Sequence, residues 1–583
     1  MDVFSIITLL GGLAFFLYGM NVMSQGLEKM AGGKLEGILK KMTSNRFKAL
    51  GLGIVVTAVI QSSSAVTVIL VGLVNSGIMH FGRTIGIIMG ANIGTTVTAW
   101  LLSMIGIEGD NIIVKLLKPE NFSLIFALVG IMLIMMSKST RKKDVGSIMI
   151  GFAVLMFGME LMSGAVEPLK DMPEFTNILI MFENPLFGIL AGAVLTGILQ
   201  SSSASVGILQ ALSMTGAIKF SVALPIIMGQ NIGTCVTALI SSIGVNKNAR
   251  KVSVVHIAFN LTGTLVWVLV FYSVNAIVDF AFVDKAINPW GIALVHSIFN
   301  ISTTFLLIWF TKSLEKIANL IIKTDDNEKV EAKDFIDSRL LATPSVAINE
   351  CKNLTYKMAQ VAQDIIHRSF SLFDKYSEDV ENQMFKDEDA LDMYEDKLGN
   401  YLIAISSKGL SDIDSRAKFT MLHTIGDFER LGDHALNLLK AAKELETKGL
   451  EFTEDAQQDL LVLRRASEEI IDNTINAYIN NDIDLAIMVE PLEQVIDKLT
   501  AEIKTKHIDR LQRGECTIEM GFILSDILTN YERISDHCSN IAVAMIEINH
   551  GGFDTHKYLN AVKNSNNREF NESFEKFATK YSL

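Results

Sequence analysis

The sequence Gln-Ser-Ser-Ser-Ala at Gln61–Ala65 places four hydrogen-bonding side chains between two apolar runs. The same five residues recur at Gln200–Ala204, again between apolar runs. Polar side chains surrounded by hydrocarbon cost free energy unless partners satisfy them. The motif therefore indicates either a binding site in an apolar environment or close helix packing through small residues. Its duplication favours the binding site.

Hydrophobic residues make up 49% of the 583 residues, and they are concentrated before about residue 311. Several runs approach the roughly 20 residues that a helix needs to cross a bilayer. These runs are residues 6–22, 123–136, 146–162, 252–274 and 289–310. After Thr311 the sequence is charged and helical in pattern. We therefore predict a membrane domain, residues 1–311, followed by a soluble domain.

Composition also excludes several classes of protein. The first apolar run lacks the basic start and cleavage site of a secretory signal, so we expect it to be retained. The four cysteines (Cys235, Cys351, Cys516 and Cys538) lack paired spacing, which favours reduced thiols. A formal net charge of −13 argues against nucleic acid as a partner. Without a nucleophile–base set or a phosphate-binding glycine loop, we expect neither an enzyme nor ATP-driven transport.

The membrane domain contains an internal duplication. Gln61 has its counterpart at Gln200, 139 residues later, and at the same offset Gly12 falls on Gly151. The block Asn92-Ile-Gly-Thr95 likewise falls on Asn231-Ile-Gly-Thr234. The predicted segments are one copy at about residues 3–140, a second at about 142–280, and an extra span at 289–311.

Loop charges predict that the two copies have opposite orientations. Residues 28–48 hold six Lys and Arg side chains, whereas the equivalent residues 167–187 hold four acidic ones. Two further loop pairs change sign in the same way: 138–144 against 277–284, and 105–115 against 244–254. By the positive-inside rule, equivalent loops then lie on opposite faces of the membrane. The repeats are predicted to be inverted.

Inverted copies must each cross the membrane an odd number of times. Spans near 3–25, 84–104 and 121–137 supply three crossings, which leaves residues 49–79. The arms of that segment are short and meet at the Gln-Ser-Ser-Ser motif, so we interpret it and its mate, 188–218, as re-entrant hairpins. Seven crossings and two hairpins place the N-terminus outside and the soluble domain in the cytoplasm. Two full crossings per hairpin would preserve this parity, and the sequence leaves that alternative open.

The chemistry of the two motifs suits an anion held together with a cation. The helix that starts after each motif directs unpaired N–H groups and its positive dipole end toward it. Basic side chains are scarce: Arg83 is the only one within residues 49–104, and Lys219 the only one within 188–243. A bound anion would therefore need a co-bound cation, for which hydroxyl and amide oxygens are suitable ligands. Inverted repeats with broken helices are typical of secondary transporters.

Two further pairs, His256 with Asn260 and His296 with Asn300, repeat an i, i+4 spacing. Each pair shares one helical face. A proton relay and hydrogen bonding between helices are both compatible with this spacing, and we favour the second.

Two Gln-Ser-Ser-Ser motifs, each followed by an Asn-Ile-Gly-Thr block, resemble the sodium/phosphate cotransporter family of type II, over about residues 1–311. The resemblance implies sodium-driven symport of inorganic phosphate into the cell through an inner or plasma membrane. The implied substrate and sodium ligands are Gln61, Ser62, Ser63, Ser64, Asn92, Thr95, Gln200, Ser201, Ser202, Ser203, Asn231 and Thr234. Cys235 departs from the first copy, which has Thr96 there, and leaves the number of sodium ions open.

The polar half of the chain follows an amphipathic exit helix and acidic linker, residues 312–343. Helical periodicity over 344–550 breaks near residues 406–411, 448–454 and 480–484. This pattern predicts six long helices in two antiparallel three-helix bundles. Residues 551–583 form a polar tail.

The soluble domain also contains a repeated motif. Glu429-Arg-Leu-Gly-Asp433-His is followed 103 residues later by Glu532-Arg-Ile-Ser-Asp536-His. Two carboxylates on one helical face can ligate a metal ion, although Arg beside each Glu would also suit a salt-bridged surface. The motif resembles the PhoU family of phosphate-signalling proteins over roughly 344–550. That resemblance implies divalent or iron-type metal ions at Glu429, Asp433, Glu532 and Asp536, with Asp392 and Glu493 as unassigned candidates.

The leading interpretation is an all-α polytopic sodium:phosphate symporter with a cytoplasmic PhoU-like regulatory domain, and not an enzyme. One alternative is a membrane-attached phosphate or metal sensor that does not transport. Another is a sodium-coupled transporter of a different oxyanion, such as sulfate. A homodimer in the lipid bilayer is compatible with the sequence.

Overall fold

The computed structural model describes residues 3–31, 45–75, 79–106, 118–323, 337–342, 344–406, 410–549 and 568–583. Within these residues the secondary structure is helical, apart from one isolated antiparallel bridge between Lys219 and Ala286. The predicted all-α class is confirmed for the described residues. The chain divides into two compact units, Met1–Ala347 and Ile348–Leu583, and each is described by itself.

The first unit begins with a long helix and continues through two helix pairs that are broken at the Gln-Ser-Ser-Ser motifs. Its helices are α1 (Val3–Ala31), α2 (Arg46–Ile60), α3 (Ser63–Asn75), α4 (Phe81–Leu102), α5 (Pro119–Met136), α6 (Thr140–Val166), α7 (Pro173–Met181), α8 (Pro185–Leu199), α9 (Ser202–Ser213), α10 (Phe220–Ser241), α11 (Lys247–Val278), α12 (Pro289–Leu307) and α13 (Thr311–Ile321). A short 3₁₀ helix, Ser338–Ala342, precedes the second unit.

Six helical segments in the described residues are long and apolar enough to cross a bilayer, beginning at Val3, Phe81, Thr140, Phe220, Lys247 and Pro289. A multi-pass membrane domain is therefore confirmed. The predicted crossing at 121–137 corresponds to α5, a shorter apolar helix. The longest arm of either broken pair has 15 residues. At 1.5 Å per residue this gives about 22 Å, less than the roughly 30 Å of a hydrocarbon core. The re-entrant course of the pairs stays a prediction.

Helices α1 and α6 are equivalent in the two copies and pack antiparallel through glycines. A Cβ atom added to Gly12 would lie 2.9 Å from the carbonyl oxygen of Gly158, and one added to Gly19 would lie 2.6 Å from that of Gly151. Only glycine allows two backbones to approach this closely. Because Gly12 corresponds to Gly151 and Gly19 to Gly158, the contact is symmetric.

The second unit is built from long helices. These are α14 (Pro344–Ser371, whose first turn belongs to the first unit), α15 (Glu378–Ser406), α16 (Asp412–Lys448), α17 (Glu454–Asn480), α18 (Ile483–Ile487), α19 (Val489–Gln512), α20 (Ile518–Asn549) and α21 (Arg568–Lys580). Helices α16 and α17 end at predicted breaks, where Gly449 and Asn481 have φ of 60° and 53°. Helices α16 and α20, which carry the repeated acidic motif, pack on each other. Residues 551–567 of the predicted tail lie outside the described residues.

Replacing Gly19 by leucine should separate α1 from α6, because the new side chain would meet the backbone of Leu155 and Gly151. We expect a cost of about 1–3 kcal/mol, typical of overpacking. The measurement is the thermal unfolding midpoint of the purified full chain in detergent. Gly11→Leu on the same helix is the matched control, because nothing lies within 4 Å of an added Cβ there. Equal midpoints for the two variants would contradict the role of this contact.

Candidate substrate site and metal sites

Both Gln-Ser-Ser-Ser motifs break their helices with the same backbone geometry. Helix α2 ends at Gln61 with φ of 60°, and helix α8 ends at Gln200 with φ of 54°. The left-handed region is uncommon for residues other than glycine, so two such glutamines at equivalent positions indicate a functional constraint. Each backbone N–H still bonds the carbonyl four residues earlier, that of Thr57 (2.7 Å) or Thr196 (2.8 Å). The next helix starts two residues later. We call these breaks the first tip and the second tip.

The first serine of each motif caps the helix that follows. Ser62 Oγ accepts a hydrogen bond from the backbone N–H of Ala65 (3.1 Å), and Ser201 Oγ accepts one from Ala204 (3.2 Å). An N-cap satisfies one of the free N–H groups at the start of a helix. The remaining donors at each helix start are still directed toward the tip.

The first tip is enclosed by protein. Gln61 is 6% exposed, and its Oε1 accepts a hydrogen bond from Thr98 Oγ1 at 2.7 Å. Its Nε2 donates to the carbonyl of Ala58 at 2.5 Å. From α1, Ser24 Oγ donates to the carbonyl of Ile60, directly before the break. Side chains of two other helices thus hold the first tip in place.

The second tip has the same sequence but different surroundings. Gln200 is exposed, and the counterparts of Thr98 and Ser24 do not repeat the contacts of the first tip. Thr237, the counterpart of Thr98, places its hydroxyl 3.2 Å from Ser64 Oγ in the first tip. Ser163, the counterpart of Ser24, has a buried hydroxyl without a hydrogen-bond partner in the described part of the chain. The Thr237–Ser64 contact brings the two copies together at the first tip.

The Asn-Ile-Gly-Thr blocks lie on α4 and α10, and their predicted ligands are buried. Asn92, Thr95, Asn231 and Thr234 are between 3% and 7% exposed. Each donates to the carbonyl four residues earlier in its own helix, at 3.0–3.4 Å. Because each of these side chains bonds its own helix through a donor, its oxygen can still offer lone pairs to a ligand, which suits a hard cation.

The His–Asn pairs are buried on α11 and α12. Asn260 Nδ2 donates to the carbonyl of His256 (3.0 Å) and also approaches Cys235 Sγ on α10 (3.4 Å). Asn300 Nδ2 donates to the carbonyl of His296 at 2.9 Å. The contact between Asn260 and Cys235 joins two helices. Hydrogen bonding between helices is the interpretation that the sequence favours for the His256–Asn260 pair. The contact also gives the thiol, where the first copy has a hydroxyl, a partner other than a cation.

In the second unit, the first acidic motif is coupled to carboxylates on α15. Burial, followed by the charges of Asp392, Asp389 and Asp433, raises the pKa of Glu388. Burial, followed by the charge of Asp433, raises the pKa of Glu429, although Arg430 opposes the effect. Carboxylates that disfavour one another's ionisation are typical of a site that a cation neutralises.

The second acidic motif contributes to a closer cluster. One carboxylate oxygen from each of Glu493, Asp497 and Asp536 lies within 4.8 Å of the others, and Glu493 is 6% exposed. Asp497 follows Glu493 by four residues, as Asp392 follows Glu388. The sequence analysis did not predict Asp497 or Glu388. The available signal was the spacing of four residues between two acidic side chains, on α19 and on α15.

Salt bridges occur at the same motifs. Arg430 pairs with Asp433 at 2.8 Å, and Arg533 pairs with Asp536 at 3.1 Å. Glu532, a predicted ligand, lies 3.5 Å from Lys504. These are exposed pairs and contribute little stability by themselves.

Comparison with known proteins identifies both halves of the chain. Residues 15–164 and 171–289 match the Na+/Pi-cotransporter family, and residues 355–442 and 460–545 match the PhoU domain. The protein YqeW of Bacillus subtilis (strain 168) is 30% identical over 311 residues, which cover 53% of this chain and 96% of YqeW. The chain belongs to the Na+/Pi-cotransporter family. It also carries a PhoU domain.

Two other relatives have names that state a function. YjbB of Escherichia coli (strain K12), provisionally named as an inorganic phosphate export protein, is 21% identical over 566 residues, covering 93% of this chain and 98% of YjbB. Sodium-dependent phosphate transport protein 2A of Rattus norvegicus is 40% identical over 99 residues, 16% of this chain and 15% of that protein. Phosphate is named for both.

Three further polar residues accompany the individually predicted site residues. Thr98 and Thr237 end the Asn-Ile-Gly-Thr-x-Val-Thr blocks and contact the first tip. Gln230 is 1% exposed, and both atoms of its amide lack partners among the described residues. The available signal at Gln230 was its polarity, because the first copy has Ala91 at the equivalent position.

Replacing Thr98 by valine should impair phosphate transport, because the buried Oε1 of Gln61 would lose its donor. An unsatisfied buried acceptor costs about 1–3 kcal/mol, and we expect roughly a tenfold lower flux. The measurement is phosphate flux in liposomes that contain the purified full chain. Thr98→Ser keeps the hydroxyl and should stay close to the unmodified protein. Normal flux in Thr98→Val would exclude a supporting role for this bond.

Proposed function

We propose that the protein is a sodium-coupled symporter of inorganic phosphate whose PhoU domain regulates transport. The observation that carries this proposal is the contact between the two copies at the tips. The hydroxyls of Ser64 and Thr237 lie 3.2 Å apart, so the first tip and the Asn-Ile-Gly-Thr-x-Val-Thr block of the second copy border the same place. Family membership supports the choice of phosphate and sodium.

Phosphate would be held by uncharged donors. The N-termini of α3 and α9 direct backbone N–H groups toward the tips, and serine hydroxyls both donate and accept. No Lys or Arg lies in α2, α3, α8 or α9 except at Arg46 and Lys48, in the first turn of α2. Sodium would therefore supply the positive charge, held by oxygens such as those of Asn92, Thr95, Asn231 and Thr234. Binding of the anion and the cation would then depend on each other.

Inverted repeats and re-entrant hairpins belong to the same proposal. Antiparallel packing of the equivalent helices α1 and α6 supports it, because an inverted duplication brings equivalent helices together in opposite directions. The N-terminus would lie outside and the PhoU domain in the cytoplasm. The different surroundings of the two tips would correspond to one of two conformational states of the transporter. In the other state Thr237 would reach Gln200, and Ser163 would reach the carbonyl of Leu199.

Sodium coupling is tested by phosphate flux in proteoliposomes under opposed ion gradients. We expect an inward sodium gradient to drive accumulation and an equal potassium gradient to drive none. Ser63→Ala and Ser202→Ala should each lower the flux, because the remaining donors do not satisfy the anion. Ser242→Ala, at a half-buried position after α10 and outside both motifs, is the control. Equal uptake with potassium would disprove sodium coupling, and full inhibition by sulfate would change the assigned anion.

Phosphate export is the second candidate, favoured by the similarity to YjbB along almost the whole chain. The same proteoliposomes can be loaded with phosphate and diluted into phosphate-free buffer. Efflux that requires an outward sodium gradient would support a reversible symporter. Efflux that ignores sodium would favour an exporter of a different mechanism.

We also propose that the PhoU domain binds divalent or iron-type metal ions at its two acidic clusters. One cluster combines Glu388 and Asp392 with Glu429 and Asp433, and the other combines Glu493 and Asp497 with Asp536. The raised pKa values of Glu388 and Glu429 mean that these groups take up protons at a higher pH than ordinary glutamates do. Metal affinity should therefore fall as the pH is lowered from neutral.

Metal binding should raise the thermal unfolding midpoint of the full chain, because a ligand that binds only the folded state stabilises it. We expect Mn²⁺ or Fe²⁺ to give this shift and the double variant Asp433→Asn, Asp536→Asn to lose it. Glu446→Gln, exposed on α16, should keep the shift. An unmodified protein that shows neither a shift nor bound metal by elemental analysis would refute the ligand role.

A further inference from the structure

The short segment Asp337–Ala342 is anchored to the membrane unit although it lies directly before the PhoU domain. Asp337 is 2% exposed and Leu340 is fully buried. A charged side chain is rarely buried to this extent unless it is paired. The segment is therefore packed against the membrane unit and does not act as a free linker.

Arg339 and Asn75 both bind the carboxylate of Asp337. Arg339 Nη1 donates to both of its carboxylate oxygens, at 3.1 and 3.0 Å, and Asn75 Nδ2 donates to Oδ2 at 2.9 Å. The other end of the Arg339 guanidinium, Nη2, donates to the carbonyl of Ile243 at 2.5 Å. One ion pair thus connects the end of α3 with the connection between α10 and α11.

Asn75 also binds that connection directly. Its Oδ1 accepts from the backbone N–H of Asn246, and its own carbonyl accepts from Asn246 Nδ2, both at 2.9 Å. Asn246 Oδ1 in turn caps α11 by accepting from Ala249 at 2.8 Å. The network therefore joins the end of α3, the start of α11 and the docked segment.

The apolar part of the docking site depends on a glycine. A Cβ atom added to Gly72 would lie 2.8 Å from Leu340 Cδ2, so the side chain of Leu340 occupies the space that the glycine leaves. The second copy has Ala211 where the first has Gly72, and Met214 where the first has Asn75. The tip sequences are identical in both copies, but the second hairpin does not repeat the glycine and asparagine of this docking site.

We propose that Asp337–Ala342, which lies directly before the PhoU domain in the sequence, is a latch that restrains the hairpin formed by α2 and α3. Helix α3 has 13 residues and begins at Ser63, so it is a rigid rod of about 20 Å between the latch and the first tip. While the latch is docked, α3 is fastened to the start of α11. Release of the latch removes the bonds of Asp337 and Arg339, so that the Asn75–Asn246 bonds alone hold α3 at the start of α11, and this speeds turnover. The inference rests on the proposed transport function.

The docked state is tested first by chemical labelling, which does not depend on transport. Leu340→Cys is introduced into the Cys516→Ser background, because the other three native cysteines are buried. In the detergent-solubilised full chain, we expect slow reaction with a water-soluble maleimide. Adding Arg339→Ala should speed the reaction by about tenfold or more, because a local opening that becomes 1.4 kcal/mol easier is ten times more populated. Fast labelling without Arg339→Ala would overturn the latch.

Phosphate flux in proteoliposomes tests its effect. Arg339→Ala removes the ion pair, and Gly72→Leu independently fills the space that the Leu340 side chain occupies. Each should raise the flux by about fivefold, the lower end of typical allosteric couplings. Ser338→Ala, exposed within the same segment, should leave the flux unchanged. Normal or lower flux in both release variants would overturn the restraint. If neither the variants nor the unmodified protein show phosphate flux, while Leu340→Cys still reacts slowly with the maleimide, the result would count against the proposed function. The docked segment would then still be established.

Discussion

The structure of the membrane unit depends on one constraint: a helix broken in apolar surroundings exposes hydrogen-bonding groups that must be satisfied. At the first tip this requirement involves three helices. Gln61 ends α2, Thr98 of α4 supplies the donor for its side chain, and Ser24 of α1 binds the carbonyl before the break. The positions of α1 and α4 relative to the hairpin follow from these bonds.

The same constraint explains why the proposed site for small ions would lie where the copies meet. A tip that used all its donors on protein would have none left for a substrate. The backbone N–H groups at the start of α3 and α9 and the oxygens of the Asn-Ile-Gly-Thr blocks are positioned by their own helices, which leaves part of their capacity for ligands. The second tip has the same sequence, but its Gln200 is exposed. The hydrogen-bonding groups are therefore used differently in the two copies.

Much of this arrangement could be predicted from the sequence, because polar residues that interrupt an apolar run at a fixed offset imply a repeated break. The breaks at Gln61 and Gln200, the all-helical class and the long helices of the PhoU domain follow from such local patterns. The different environments of the tips could not be predicted, since their sequences are identical. Asp497 was missed because its spacing from Glu493 also fits an ordinary helix surface, and only tertiary packing brings it to Asp536. Gly72 and Asn75 likewise resemble common residues near a helix end until Leu340 and Asp337 are placed against them.

The glycine contact between α1 and α6 has an implication for the origin of the fold. Gly12 contacts Gly158 and Gly19 contacts Gly151, so both copies use equivalent residues in the interface. Such a surface is self-complementary, as in an isologous homodimer. A protein consisting of a single copy could therefore pair with another molecule of itself inserted in the opposite direction. Fusion of two such genes would preserve the interface without a single new contact, and afterwards each glycine would be constrained by its own copy and by its partner.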